Sequence, residues 1–413
     1  MATACSDDGS SGQDTSTTEP TAGSTAGSTI GSTIGSTTGS TTAGTTGDST
    51  GGTANADTTG PNDDSTSAST GQPETPTICP IDENFGDPVP EGAQPYPVAL
   101  DFRGAEGIVW NADEQRLYFS EIFRQGAPED CPLREDRMCG SIVRLDPQTG
   151  ESEVFVTAAS TNGLALPLEG GQLIAGSFTR DLVAFALDEG LEPEPVTFVP
   201  QRIRPPIFNS PNDLTIRSDG TIYFTDPWFG IPEKLQSGIT PIWRVSPMGD
   251  VSIVTENTIV PNGIALSPDE STLYVTTRLV ENEPENQRIL QLDVQEDGTA
   301  TNEREFVTLQ GGGADGMTID CAGNLYATLF RSGGGDDPGP PGVEIYRPSG
   351  ELIQSITFPN PNDDTALLPA TNAAFGGSDR TTLFVTVEQR NPDPALRVFG
   401  VYGVDLNIPG LPY

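Results

Sequence analysis

The chain has 413 residues, 59 Asp and Glu against 20 Lys and Arg, a formal charge of −39 and no histidine. Such a field repels nucleic acid and anionic lipid, so neither is an expected partner. The lack of histidine excludes Ser-His-Asp and Cys-His catalysis and imidazole-ligated zinc or iron, leaving acid–base work to carboxylates, Tyr, Lys or metal-bound water.

Residues 1–78 read as a tether. Gly-Ser-Thr recurs five times at four-residue spacing between Gly23 and Thr41. A segment of that composition cannot bury enough apolar surface to offset its ordering entropy, so disorder is expected. As a flexible coil it spans about 50 Å root-mean-square. Ala2-Thr3-Ala4-Cys5-Ser6 resembles the end of a bacterial lipoprotein signal with Cys5 lipidated; the alternative is an incidental early cysteine. The polar spacer directly after Cys5 favours the first reading. An exported protein is then expected, either lipid-anchored in the bacterial cell envelope or secreted. No run of 18 apolar residues occurs, so no transmembrane helix is expected.

From residue 79 onward one pattern returns six times: a small or polar residue, an acid or amide, an apolar strand, a turn and a second apolar strand. Its acid or amide positions are Glu106, Asn162, Asn212, Asn262, Asp315 and Asn372, at intervals of 56, 50, 50, 53 and 57 residues. Each interval holds two further strand-like runs, as in Pro241–Val245 and Val251–Val254. Four antiparallel strands repeated at this period predict an all-β, six-bladed β-propeller over residues 79–413. Helical periodicity is nowhere sustained, and 37 prolines argue against long helices. Tyr96–Phe102 is the expected closing strand, beside Val398–Val404.

The first strand of each propeller blade lines the central channel, so the six repeat positions converge at one mouth. An Asn-Gly or Asp-Gly pair also serves a turn before a strand, and Asn162 and Asn372 need be no more than that. Glu106 and Asp315 differ. Two carboxylates on a narrow axis without a basic partner repel each other, and a divalent cation resolves the conflict. Amide oxygens and waters complete the six to eight oxygens that calcium takes. Magnesium, manganese and zinc are the alternatives, although all-oxygen ligation disfavours zinc.

These residues resemble the gluconolactonase and senescence-marker-protein (regucalcin) family of six-bladed propellers. Ala105-Glu106-Gly107-Ile108-Val109-Trp110 is similar to its opening element, with Ile108 in place of Pro. Asn209-Ser210-Pro211-Asn212-Asp213-Leu214, Tyr223-Phe224-Thr225-Asp226-Pro227, Pro261-Asn262-Gly263-Ile264 and Ala314-Asp315-Gly316-Met317 are similar to later ones. The resemblance implies metal ligation by Glu106, Asn262 and Asp315, with Asn212 near the metal or substrate. It also implies lactone hydrolysis with Asp315 as the acid–base residue. Three departures bear on the substrate: Ser210 stands where regucalcin-like members place a substrate-binding Arg, Asn372 adds an amide to the sixth blade, and residues 123–139 form an insertion in the first blade.

Second strands end at the metal-side mouth, which places Glu121, Ser177, Asp226, Trp228, Arg278, Arg331 and Glu388 around its rim. Arg278 and Arg331 either bind a carboxylate or sugar hydroxyls, or are solvated surface residues. Trp228 either walls a sugar pocket or packs on the next loop. Four cysteines remain, an even count that favours disulfides in an exported chain. Seven residues separate Cys131 from Cys139, which are expected to pair and leave Cys79 for Cys321. The leading function is a calcium-dependent hydrolase of sugar lactones or related esters acting as a monomer on a small molecule. The competing one is a non-enzymatic surface binding propeller with a structural ion, since fold alone does not choose.

Overall fold

A computed structural model describes residue 79 and residues 85–123, 139–168, 170–187, 196–197, 208–229, 239–256, 260–277, 287–309, 313–330, 339–389 and 397–411. All of these belong to the unit Gly71–Tyr413. Every regular element among the described residues is a β-strand, arranged as six four-stranded antiparallel sheets and one short hairpin, Phe358–Asn360 with Asp363–Leu368.

The six sheets are the blades of a propeller. Their innermost strands are Glu106–Asn111, Thr161–Ala165, Leu214–Ile216, Pro261–Leu266, Ala314–Ile319 and Ala370–Gly376. Each inner strand touches those of the two neighbouring blades, and the last touches the first, so the ring is closed. Closure is covalently staggered, as the sequence predicted: Tyr96–Phe102 forms the outer strand of blade six, with Tyr96 opposite Gly403 and Phe102 opposite Phe399. The strands that begin and end the propeller therefore share one sheet.

Side chains alternate across each strand, so a buried inner strand feeds two cores at once. Ile108 and Trp110 pack toward blade six, while Val109 packs toward blade two. Six apolar clusters result, one at each interface between blades. Aromatic rings carry much of this burial: Trp110 stacks on Phe384 at 6.0 Å, and Phe208 meets Phe224 edge-on at 5.1 Å. Such packing leaves no room at some inner positions. A Cβ on Gly263 would lie 2.4 Å from the Asp315 carbonyl oxygen; one on Gly107, whose φ is +58°, would lie 2.2 Å from that of Asn162.

Below its polar mouth the channel is lined by apolar residues including Ile108, Leu164, Leu214, Ile264, Met317 and Leu411, around a void of about 50 Å³. Leu411 is buried, and its N–H donates to the Ile319 carbonyl at 3.3 Å. Gly410 bridges Asp320, and Cys321 N–H donates to the Pro409 carbonyl. Cys321 is bonded to Cys79, the pairing expected from the sequence. Cys139 is also disulfide-bonded; its expected partner, Cys131, lies outside the described residues.

Candidate functional site

The six repeat residues head the inner strands and meet at one mouth. Hydroxyls from the second strands, with that of Thr371 from the sixth inner strand, fix their spacing by bonding across the blade interfaces. Thr225 Oγ1 donates to the Asn262 carbonyl at 2.6 Å, and Thr276 Oγ1 to that of Asp315 at 2.7 Å. Thr328 Oγ1 reaches the Thr371 carbonyl at 2.9 Å, and Thr371 Oγ1 closes the ring on the Ala105 carbonyl at 2.9 Å. Ser120 and Thr161 share a hydrogen bond at 2.8 Å. The four bonds to carbonyls each satisfy a backbone group that the channel would otherwise leave buried and unpaired, and the fifth pairs two buried hydroxyls. These hydroxyls are functional supports that inspection of the repeat missed.

Asn212 and Asn262 are buried, whereas Glu106 and Asp315 are half-buried and keep access to the mouth. Asn262 donates its amide N–H to Asp315 Oδ1 at 2.5 Å. Asn162 and Asn372 are buried in the same ring. The four residues expected to bind metal are thus brought to one end of the channel.

A third carboxylate, Asp213, stands among them. Burial pushes its carboxyl up to about 7, and the Asp315 charge adds to the shift. The Leu214 N–H at 3.0 Å, the Asn372 side-chain amide and the Ile264 N–H oppose it. Asp213 therefore joins blades three, four and six on the channel floor. The signal was in the repeat: blades one, two, four and five carry Gly107, Gly163, Gly263 and Gly316 at this position, and blade three carries Asp.

A second buried carboxylate shapes the entrance. Asp226 is fully buried and accepts N–H bonds from Asn209, Ser210 and the Trp243 indole at 2.8–2.9 Å. Burial still pushes it up to about 7, against those donors and the Arg180 charge. Its role is to hold the Asn209–Ser210 turn, which delivers Asn212 to the channel. The side chains of Ser177 and Glu388, like that of Asp226, lie buried rather than open on the rim, because each second strand tucks its end under the neighbouring blade. Ser210 is 1 % exposed, and its hydroxyl has no hydrogen-bond partner. Glu121 accepts the Arg103 N–H at 2.9 Å. Trp228 is 48 % exposed with Phe229 beside it, ring centroids 6.4 Å apart. Arg278, Arg331 and Cys5 lie outside the described residues.

The donors at this mouth are carboxylate and amide oxygens, the hard set that suits calcium. Among the described residues no cluster of three His, Cys, Asp or Glu side chains is placed to hold a metal ion, so an ion here would draw on the Asn carbonyls as well. The unfavourable crowding of Asp213 and Asp315 is the electrostatic feature that a cation would relieve.

A family model described as the SMP-30/gluconolactonase/LRE-like region matches residues 104–389, from the first blade to the sixth. The chain belongs to this family. Among family relatives, it is 29 % identical over 328 residues to a gluconolactonase of Zymomonas mobilis, covering 73 % of this chain and 81 % of the relative. Two solved structures share the fold. A gluconolactonase from Xanthomonas campestris is 23 % identical with a TM-score of 0.56, covering 78 % of this chain and 99 % of that one. A calcium-binding regucalcin from Agrobacterium tumefaciens is 19 % identical with a TM-score of 0.53, covering 74 % and 92 %. The SMP-30/gluconolactonase match takes in all four repeat residues expected to bind metal.

Proposed function

We propose that this family member is a lactone-hydrolysing enzyme that acts on sugar lactones with a divalent cation, calcium first, held by Glu106, Asn212, Asn262 and Asp315. The observation that carries the reading is the meeting of Glu106 and Asp315 with buried amides in a ring that contains no Lys or Arg. The relative named a gluconolactonase supplies the substrate class. When bound, a divalent cation supplies a Lewis acid for the lactone carbonyl and lowers the pKa of water.

The chain's own groups do the rest. Asp315, oriented by the Asn262 amide, accepts a proton from the attacking water as its oxygen bonds to the carbonyl carbon. The ring C–O bond then breaks, and the same proton passes to the departing ring oxygen, giving the open hydroxy acid. Asn212 and Ser210, whose hydroxyl is buried without a partner, are the hydrogen-bonding groups we assign to the substrate. Trp228 offers an exposed aromatic face to a sugar ring, and Arg278 and Arg331 are assigned to the same rim.

We assign residues 1–78 to a tether and the rest to the propeller, with Cys5 as the lipid anchor of an exported monomer in the bacterial envelope. Sugar-lactone hydrolysis followed by proton release tests the central claim. The chelated protein should be inactive, and calcium should restore both activity and thermal stability by mass action. Asp315→Asn keeps an oxygen ligand but loses charge and proton acceptance, so it should bind calcium more weakly and lose hydrolysis while remaining folded. Calcium binding without hydrolysis of any lactone or ester would favour a binding propeller instead.

A further inference from the structure

Glu388 is fully buried at the mouth end of blade six, two residues beyond Thr386, which pairs with Asn372 of the channel ring. Successive residues rise about 3.3 Å along a strand, so Glu388 stands one layer above the ring on the side from which substrate arrives. Its sole cationic neighbour among the described residues is Arg397, whose Nη1 lies 3.1 Å from Glu388 Oε1. That separation makes an ion pair, but the approach is off the angle of a hydrogen bond, and neither carboxylate oxygen has a donor. Arg397 Nε is likewise buried without an acceptor, while 29 % of the Arg397 side chain reaches the surface.

A buried ion pair is costly unless its remaining donors and acceptors are satisfied. Here the open positions are complementary: one N–H lacks an acceptor and one carboxylate lacks a donor. A group that completes both must accept from nitrogen and donate to oxygen, which is what a hydroxyl does and a methylene cannot. Water and a substrate alcohol share that chemistry. With 29 % of its side chain at the surface, Arg397 links this buried pair to solvent, the route by which such an oxygen would enter.

We propose that Glu388 and Arg397 form a hydroxyl-reading pair that makes the site selective for polyhydroxylated lactones over alkyl lactones. Arg397 contacts the substrate hydroxyl, and Glu388 positions the guanidinium and accepts the hydroxyl proton in a hydrogen bond. The inference rests on the lactonase reading above and specifies the substrate class within it. A site that hydrogen-bonds a hydroxyl discriminates strongly against the analogue that lacks it, because the buried partners are then left unpaired.

The test compares glucono-1,5-lactone with δ-valerolactone, which has the same ring size and no hydroxyls. Arg397→Lys keeps the charge beside Glu388 but removes the fixed Nε donor, so the buried carboxylate is not orphaned. The double variant Glu388→Gln with Arg397→Gln removes both charges together and covers the case in which the lysine finds a new geometry. In both, KM for the hydroxylated lactone should rise about tenfold or more, the scale of one hydrogen bond to a charged group. Its kcat and all δ-valerolactone kinetics should stay within about twofold. Equal losses on the two lactones with a lowered melting temperature would assign the pair a purely structural role with a bound water, and unchanged kinetics would also overturn the inference. A wild-type protein that hydrolyses neither lactone would overturn the lactonase reading itself, and this inference with it.

Discussion

The Asn372 side-chain amide faces the buried carboxyl of Asp213 and favours its ionised form, so the sixth blade helps to hold the charge that the third blade places on the channel floor. Asn372 in turn is fixed through its own oxygen, which accepts the Ala373 N–H at 2.8 Å.

This arrangement sets a pH dependence. The folded-state value of Asp213, about 7, lies above the 3.8 of an ordinary aspartate. Between these limits the folded, metal-free protein retains a proton that the unfolded chain has lost. Stability from this group is therefore complete below the lower limit and declines as pH rises through the upper one. Asp226 acts in the same direction. In chelator, Asp213→Asn should gain stability relative to the parent as pH increases from about 4 to about 7. Thermal midpoints of the two proteins across that range check this, and a difference that shrinks with pH would reject it.

Gly263 carries a steric prediction. An alanine there would place its Cβ 2.4 Å from the Asp315 carbonyl oxygen, against backbone that the Thr276 hydroxyl holds in place. Overpacking of this kind costs about 1–3 kcal/mol. Because the displaced segment carries a proposed ligand, Gly263→Ala should weaken calcium binding by about tenfold or more, equivalent to about 1.4 kcal/mol. Calorimetric titration with calcium measures it, and unchanged affinity would separate Asp315 from the ion.

Asp226→Ala should be among the most damaging changes near the mouth. It strands the Asn209 and Ser210 N–H groups and the Trp243 indole without their acceptor. Each stranded donor costs about 1–3 kcal/mol, so a loss of about 3 kcal/mol or more is expected in denaturant melts. Asp226→Asn keeps one acceptor oxygen and should fall between. If the alanine variant melts like the parent, the turn that delivers Asn212 has another anchor.

The propeller was legible because its blades repeat: one acid or amide with its two strands recurs at near-constant spacing, and ring closure follows from a spare strand at each end. The convergence of the six repeat residues on one mouth was legible for the same reason. Asp213 was harder to see, because a search for what repeats passes over the one position where glycine is replaced. The hydroxyls of Ser120, Thr225, Thr276, Thr328 and Thr386 do recur in the second strands of five blades, with Gly176 in their place in blade two. Read locally, however, they look like β-propensity, and the partners of Ser120, Thr225, Thr276 and Thr328 lie in the next blade, about 40 residues away in cases such as Thr225 and Asn262. Ser177, Asp226 and Glu388 were placed at the correct end of their strands, but whether a strand end opens to solvent or tucks beneath a neighbour depends on packing between blades.

Leu411 lines the channel away from the mouth, where its N–H meets the Ile319 carbonyl at the far end of an inner strand. A lactone that enters and a hydroxy acid that leaves by the mouth both pass the same acidic ring. The product of hydrolysis carries a carboxylate that the lactone lacks. Departure is thus helped by charge repulsion from a strongly acidic protein, while the neutral substrate meets no such opposition on the way in. Traffic through the mouth is then sorted by the charge that the reaction itself creates.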